Sequence, residues 1–196
     1  MKNTVHLFGI IAMLLTAACD KDDTEPAGPS VPVYEFISVE YGALEIEPVS
    51  EVVYDKVIRN ERDVAVRAEH GYESHSGYSS EFIPDGPLAG IFEKCDVPIP
   101  EIDKVGNPVE PYFWKAPFSP NEVYTCTRST SQMGASVDLP PHSQFSMRVT
   151  NLGYKVRAGF VCRMLASDAG VVEIKGTWGG EWVVMSESYS AVSDLE

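Results

Sequence analysis

Residues 154 to 164, YKVRAGFVCRM, alternate with period two. Tyr154, Val156, Ala158, Phe160, Cys162 and Met164 fall on one side, and Lys155, Arg157 and Arg163 on the other. Successive side chains of an extended chain point to opposite faces, so this pattern suits a strand with one buried face and defeats a helix, whose face repeats every 3.6 residues. Shorter versions recur. QFSMRVT turns Phe145, Met147 and Val149 inward, DVAVRAEH does the same with Val64, Val66 and Ala68, and VYTCTRS sets Val123, Thr125 and Thr127 against Tyr124 and Cys126. VVEIKG and EWVVMSESYSAV follow near the end. Turn residues separate these runs at 60 to 63, at Pro140 with Pro141, at 151 to 153, at 167 to 170, and at Gly179 with Gly180. Helical periodicity is almost absent. The expectation is an all-β domain, either an elongated twisted antiparallel sheet or an antiparallel β-sandwich.

One interval resists the pattern. Residues 83–121 contain eight prolines, and each lacks the N–H that a central strand donates, so no regular ladder can run through most of this segment. A loop of that length inside a compact domain is either functional or not a loop throughout. It also concentrates Tyr112, Phe113, Trp114 and Phe118, while Trp178 and Trp182 flank the glycines of GTWGGEW. Exposed rings on a rigid loop can stack on sugar faces or enter a membrane interface, which makes Tyr112, Phe113, Trp114, Trp178 and Trp182 the candidate ligand-binding residues. The same rings can instead pack on the sheet and pin the loop.

Catalytic signatures are missing from the sequence: there is no G-x-S-x-G, H-E-x-x-H, Walker loop or G-x-G-x-x-G. His70 and His75 stand five apart near Glu69 and Glu73, but on a strand that spacing places them on opposite faces, so they are expected to be solvated polar residues and no metal site. The expectation is a non-enzymatic protein without a cofactor.

The first 18 residues carry Lys2, then an apolar run of about a dozen residues, and end in Ala17 and Ala18. That run is too short for a bilayer and reads as a secretory signal. With Cys19 after it, the segment LTAAC resembles the lipobox of bacterial lipoproteins, although Thr16 holds the place where Leu is preferred. The resemblance implies removal of residues 1–18 and a diacylglyceryl group on Cys19. The acids that follow, DKDDTE, are similar to the surface-export signal of certain Gram-negative lipoproteins, which implies an outer-membrane, surface-exposed location. A Pro/Gly-rich tether completes residues 19–32, and residues 33–196 are expected to form a single domain. Removing the signal takes away one Lys and moves the net charge from −14 to −15. So acidic a chain repels phosphate backbones, which excludes nucleic acid as a partner. It also leaves Cys95, Cys126 and Cys162, an odd number. The two in strand-like segments, Cys126 and Cys162, are either disulfide-bonded or buried as thiols.

Three further stretches carry a second resemblance. VIRNERDVAVRAEHGYESHSGYSSEF places an Asn after a strand and then a Ser- and Tyr-rich extended run, ASVDLPPHSQFSMRVT sets a Pro-Pro-His-Ser turn between strands, and GVVEIKGTWGGEWVV ends on a glycine pair. In this order they resemble the β-module of aerolysin- and epsilon-toxin-like pore-forming proteins, over roughly residues 52–192. The resemblance implies a module that binds or inserts into target membranes and self-associates there. The chain departs from that pattern where such proteins carry an amphipathic tongue, because the Pro-rich loop occupies the interval and its prolines would leave hydrogen bonds unmade in lipid. Beside this stands a surface module that captures a glycan or a protein through its aromatic residues.

Overall fold

In the computed structural model, which describes residues 31–92 and 95–195, the alternating runs become strands, except that Val64, expected to face inward, lies in the turn before Val66 and is 61 % exposed. Cys19 and the signal segment lie outside the described residues. Six long strands make one antiparallel sheet: β1 (Tyr34–Tyr41), β2 (Glu45–Asn60), β3 (Val66–Pro84), β8 (Val123–Leu139), β9 (Ser143–Ala166) and β10 (Gly170–Asp194). Between β3 and β8 lie four short ones, β4 (Asp96–Pro98), β5 (Glu101–Ile102), β6 (Pro108–Val109) and β7 (Lys115–Pro117). The all-β antiparallel fold expected from the sequence is the fold found.

Two of the expected turns do not form. The chain runs straight through Asn151 and Gly153 as part of the 24-residue β9, and through Gly179 and Gly180 as part of the 25-residue β10. At about 3.4 Å per residue these strands extend roughly 80 Å. Gly153 and Gly180 serve close approach and not reversal, whereas Gly179 has open space where a Cβ would stand. A Cβ on Gly153 would collide with the Trp182 carbonyl, and one on Gly180 would meet the Trp178 ring at 2.7 Å. The reversals at 60 to 63, 140 to 142 and 167 to 170 are real turns, the last with Gly170 at φ +73°.

β9 and β10 pair along their whole length and form the spine. β1 and β2 follow one another along the far side of β9, while β3 joins β10 over residues 176–183 and carries β8 on its outer side. The buried residues of β9 change parity along the strand. Phe145, Met147 and Val149 are buried at one end, and Val156, Ala158, Phe160, Cys162 and Met164 at the other. Odd and even residues of a strand face opposite ways, so the sheet is covered on opposite faces at its two ends. Extra residues in both neighbours of β9, Val53 in β2 and Val184 in β10, mark the changeover.

At the first end, the β3–β8 pair leaves β10 after Gly77 and Val183 and lies under β2 and β9. There Leu139, Phe145, Met147 and Val149 form a small core with Tyr54, Ile58, Ala68, Tyr72 and Val137. At the other end the Pro-rich segment closes over the large core, which includes Trp178, Trp182, Phe82 and Phe160. The turn expected around Asn60 has a specific lock. The buried Asn60 side-chain amide donates to the carbonyls of Val64 (2.9 Å), Leu139 (3.1 Å) and Pro140 (2.7 Å), and its oxygen accepts from the Arg62 amide (3.1 Å). One side chain thus ties the β2–β3 turn to the β8–β9 turn.

Replacing Asn60 with Ala should lower stability by about 2–3 kcal/mol, because the Leu139 carbonyl is left buried without its donor. Asn60→Asp should be at least as damaging, since a carboxylate cannot donate. Urea denaturation measures both; a loss below about 0.5 kcal/mol for Asn60→Ala would contradict this assignment.

Candidate functional site

The Pro-rich segment expected as a long loop is a folded lid over residues 85–122. Its prolines remove donors and leave carbonyls free to accept. The sheet answers with side-chain donors: the Tyr41 hydroxyl donates to the Pro98 carbonyl (2.8 Å), the Tyr78 hydroxyl to the Lys115 carbonyl (2.7 Å), and the Trp182 indole N–H to the Pro100 carbonyl (3.0 Å). Two small ladders, β4 with β7 and β5 with β6, supply the remaining regular pairing. The lid's apolar side chains complete the core. Val97, Ile99, Ala116 and Phe118 are fully buried, and Phe118 packs on Phe82, Phe92 and Phe160 with centroids 5.0–6.0 Å apart.

The five aromatic residues singled out from the sequence therefore separate. Trp178 and Trp182 are 0 % and 1 % exposed, with the Trp178 indole N–H donating to the Ser80 hydroxyl at 2.9 Å. Both are core residues with no face left for a ligand. Trp114 is half-buried, edge-on to Trp182, with the Arg128 guanidinium 4.3 Å above its ring, and Arg128 also reaches Glu101 at 3.6 Å. Tyr112 lies edge-on against Tyr41 at 5.8 Å. Phe113 alone of the five points outward, 73 % exposed. The segment 110–114 thus anchors through Tyr112 and Trp114 and displays Phe113 between them.

The pairing proposed for Cys126 and Cys162 does not occur: both are thiols, as is Cys95. β10 and β3 stand between β8 and β9, a lateral separation of three strand spacings of about 4.8 Å, beyond the roughly 7 Å that a disulfide can bridge. Burial, reinforced by nearby Cys95, pushes the Cys162 thiol up to about 12. His70 and His75 do face opposite ways, but only His75 is the solvated residue expected, because His70 turns toward the small core. His70 stacks on Phe145 at 4.7 Å with its Nδ1 buried and unpartnered, while the exposed His75 meets the Thr130 hydroxyl at 3.0 Å. No group of three or more His, Cys, Asp or Glu suited to a metal occurs among the described residues.

Two features stand out that the sequence motifs did not single out. On the sheet face opposite the lid, a basin of about 520 Å³ is lined by Glu45, Glu47, Glu81, Glu181, Lys155 and Arg157 and floored by Gly179. Its signal was the polar half of the same alternation that predicted the strands. The second is the ribbon where β3 and β8 run alone, residues 66–76 against 129–139. One face of it carries Val66, Ala68, His70, Tyr72, Ser74 and Ser76 with Leu139, Val137, Ala135, Met133, Ser131 and Ser129, and no formal charge. Arg67, Glu69, Glu73 and Asp138 all lie on the other face. The Ser- and Thr-rich composition was visible in the sequence. The side-by-side register was not, because a 38-residue lid separates the strands.

Burial raises the phenols of Tyr41 and Tyr78 above their ordinary value of 10, with neighbouring Cys162 adding to Tyr41 and neighbouring Cys126 to Tyr78. A group raised in the folded state contributes stability that is present below its unfolded value and lost as pH climbs past it. Thermal midpoints measured from about pH 8 to about pH 12 should therefore fall above about pH 10, and Tyr41→Phe/Tyr78→Phe should flatten that fall. An equally steep decline in the double variant would remove these phenols as the cause.

No family model and no curated protein matches the sequence. Among solved structures, the chain is similar to a lamprey immune protein, at 9 % identity and TM-score 0.44 over 81 % of this chain and 54 % of that one. It is also similar to the parasporin-2 toxin of Bacillus thuringiensis, described as recognising cancer cells, at 13 % identity and TM-score 0.41 over 83 % and 71 %. A third is an aerolysin-like protein of Bombina maxima, at 10 % identity and TM-score 0.40 over 83 % and 98 %. The chain spans about half the length of the lamprey protein. All three identities lie at or below 13 % and all three TM-scores at or below 0.44, too low to assign a family or a role.

Proposed function

We propose that this chain is a non-enzymatic, membrane-directed β-module of the cell envelope. It is anchored through a diacylglyceryl group on Cys19 and meets its target bilayer with the β3–β8 ribbon. The observation that supports this is the ribbon's pattern: eleven residues on each strand, one face free of formal charge and every Arg, Asp and Glu on the other. A transmembrane strand needs about 9–11 residues with this dyad alternation, and the ladder already satisfies the backbone groups between the two strands. The lid acts as the lock. It is the connection between the strands, its prolines do not suit lipid, and it must lift off the Trp178 and Trp182 core before the hairpin can be presented. Release of a dye from liposomes of several lipid compositions tests the reading. Phe118→Ala, which should loosen the lid by about 3–5 kcal/mol, is expected to speed release. Ala135→Asp, which places a charge on the ribbon's uncharged face, should abolish it while circular dichroism stays unchanged. Intact liposomes with both the native chain and Phe118→Ala would overturn the proposal.

A second reading is favoured by Phe113, an aromatic ring held outward, 73 % exposed, between the anchored Tyr112 and Trp114. Here the 110–114 segment captures a glycan or protein at the cell surface. Phe113→Ala should abolish retention of such a ligand on a glycan array or a surface pull-down while changing stability by less than about 0.5 kcal/mol. Trp182→Ala, by contrast, should cost about 3–5 kcal/mol as a core substitution. Undiminished retention by Phe113→Ala would discard this reading.

A further inference from the structure

The ribbon parts from the sheet at one level, and both of its strands are marked there. β3 pairs with β10 as far as Gly77, opposite Val183. At the same point the β3–β8 ladder slips: Ser76 pairs with Ser129 but Gly77 with Thr127, which leaves Arg128 as the extra residue of a bulge. A bulge bends its strand, adds local twist and re-aims a side chain. Gly77 lets the two strands close up opposite it, since a Cβ there would collide with the Cys126 carbonyl. Glycine and bulge together form a hinge between the part of β8 that stays with the sheet, residues 123–127, and the part that leaves with the ribbon, residues 129–139.

The lid grips this hinge on both strands. On β8, the Arg128 guanidinium stands 4.3 Å from the centroid of the Trp114 ring and 3.6 Å from the Glu101 carboxylate. On β3, Tyr78, the residue after Gly77, packs its ring on the same Trp114 at 5.8 Å, and its hydroxyl donates to the neighbouring Lys115 carbonyl at 2.7 Å. Trp114 is itself fixed within the lid, because its carbonyl accepts from the Ile99 amide at 2.8 Å. Beyond the hinge the ribbon turns to the opposite face of the sheet, and no hydrogen bond or ion pair among the described residues joins the lid to residues 66–76 or 129–139. What the lid holds is therefore the point from which the ribbon departs.

We propose that Trp114, Arg128 and Tyr78 form a clasp that couples the lid to the ribbon: closure of the lid fixes the angle at which the ribbon leaves the sheet, and opening of the lid frees the hinge. Arg128 is a positioning residue in this device, because it keeps Trp114 and Glu101 as partners only while the lid is down. The proposal rests on the reading that the lid is the lock, but its test uses no membrane, so a failure in solution and a failure on liposomes are separate results. Hydrogen exchange of the full chain, followed by mass spectrometry, reads the lid, the ribbon and the spine separately. Phe118→Ala should speed exchange in the lid and, on the other face of the sheet, in residues 66–76 and 129–139 by about fivefold, since coupling cannot exceed what the clasp contributes. Arg128→Met should by itself speed ribbon exchange by about the same factor, and adding Phe118→Ala to it should change the ribbon no further. Residues 145–149 of β9 should exchange at the native rate in all three variants, which separates hinge release from general unfolding. Ribbon exchange indifferent to Phe118→Ala, an equal ribbon response to Phe118→Ala with Arg128→Met in place, or a matching rise at residues 145–149 would each overturn the proposal.

Discussion

Three hydrogen bonds from the sheet to the lid organise this molecule. A segment with eight prolines closes only two short ladders of its own, and its other carbonyls would be buried unpaired when it covers an apolar core. Tyr41, Tyr78 and Trp182 resolve the conflict by pointing side-chain donors at Pro98, Lys115 and Pro100. Each of these donors is also a large ring, so the residues that satisfy the lid's polar atoms are the ones that fill the space beneath it. That double role explains why Trp182 is buried. An indole on a sheet face could have served a ligand, but here its N–H is needed by the lid.

The parity change in β9 follows as the second constraint. A lid that covers only half of a strand extending roughly 80 Å leaves the rest of that face to water, so the other half of the strand must bury its opposite face or none. Phe145, Met147 and Val149 occupy that opposite face and call for a cover of their own, which the β3–β8 ribbon provides. The two covers differ in strength. Among the described residues the lid and the sheet share a core of eighteen buried residues, whereas the ribbon and the sheet share a buried core of four, aided by the Asn60 bonds at its end. Segments with few buried contacts open at lower free energy, so the ribbon is the element of this fold readiest to separate from the sheet.

Much of the fold was legible because alternation is a local property. Val156, Ala158, Phe160, Cys162 and Met164 are buried as their spacing predicted, as are Phe145, Met147 and Val149, and His70 and His75 do face apart. What misled was glycine. Asn151 to Gly153 and the Gly179–Gly180 pair have the composition of turns, yet they lie inside continuous strands, where a Cβ would meet the Trp182 carbonyl at Gly153 and the Trp178 ring and Ser79 carbonyl at Gly180. A sequence shows that a glycine is present and does not show which neighbour requires it.

By itself, then, the sequence determined strands, an antiparallel all-β class, the strongly acidic surface and the exclusion of a regular ladder from residues 83–121, since each follows from residue type and spacing of two. Tertiary structure alone decided the rest. It assigned Trp178 and Trp182 to the core and Phe113 to the surface, kept Cys126 and Cys162 on strands too far apart to bridge, and brought residues 66–76 alongside 129–139 to make a ribbon with one uncharged face. These outcomes depend on which strand lies beside which. That ordering is set by pairing between segments far apart in the chain, which no local pattern records.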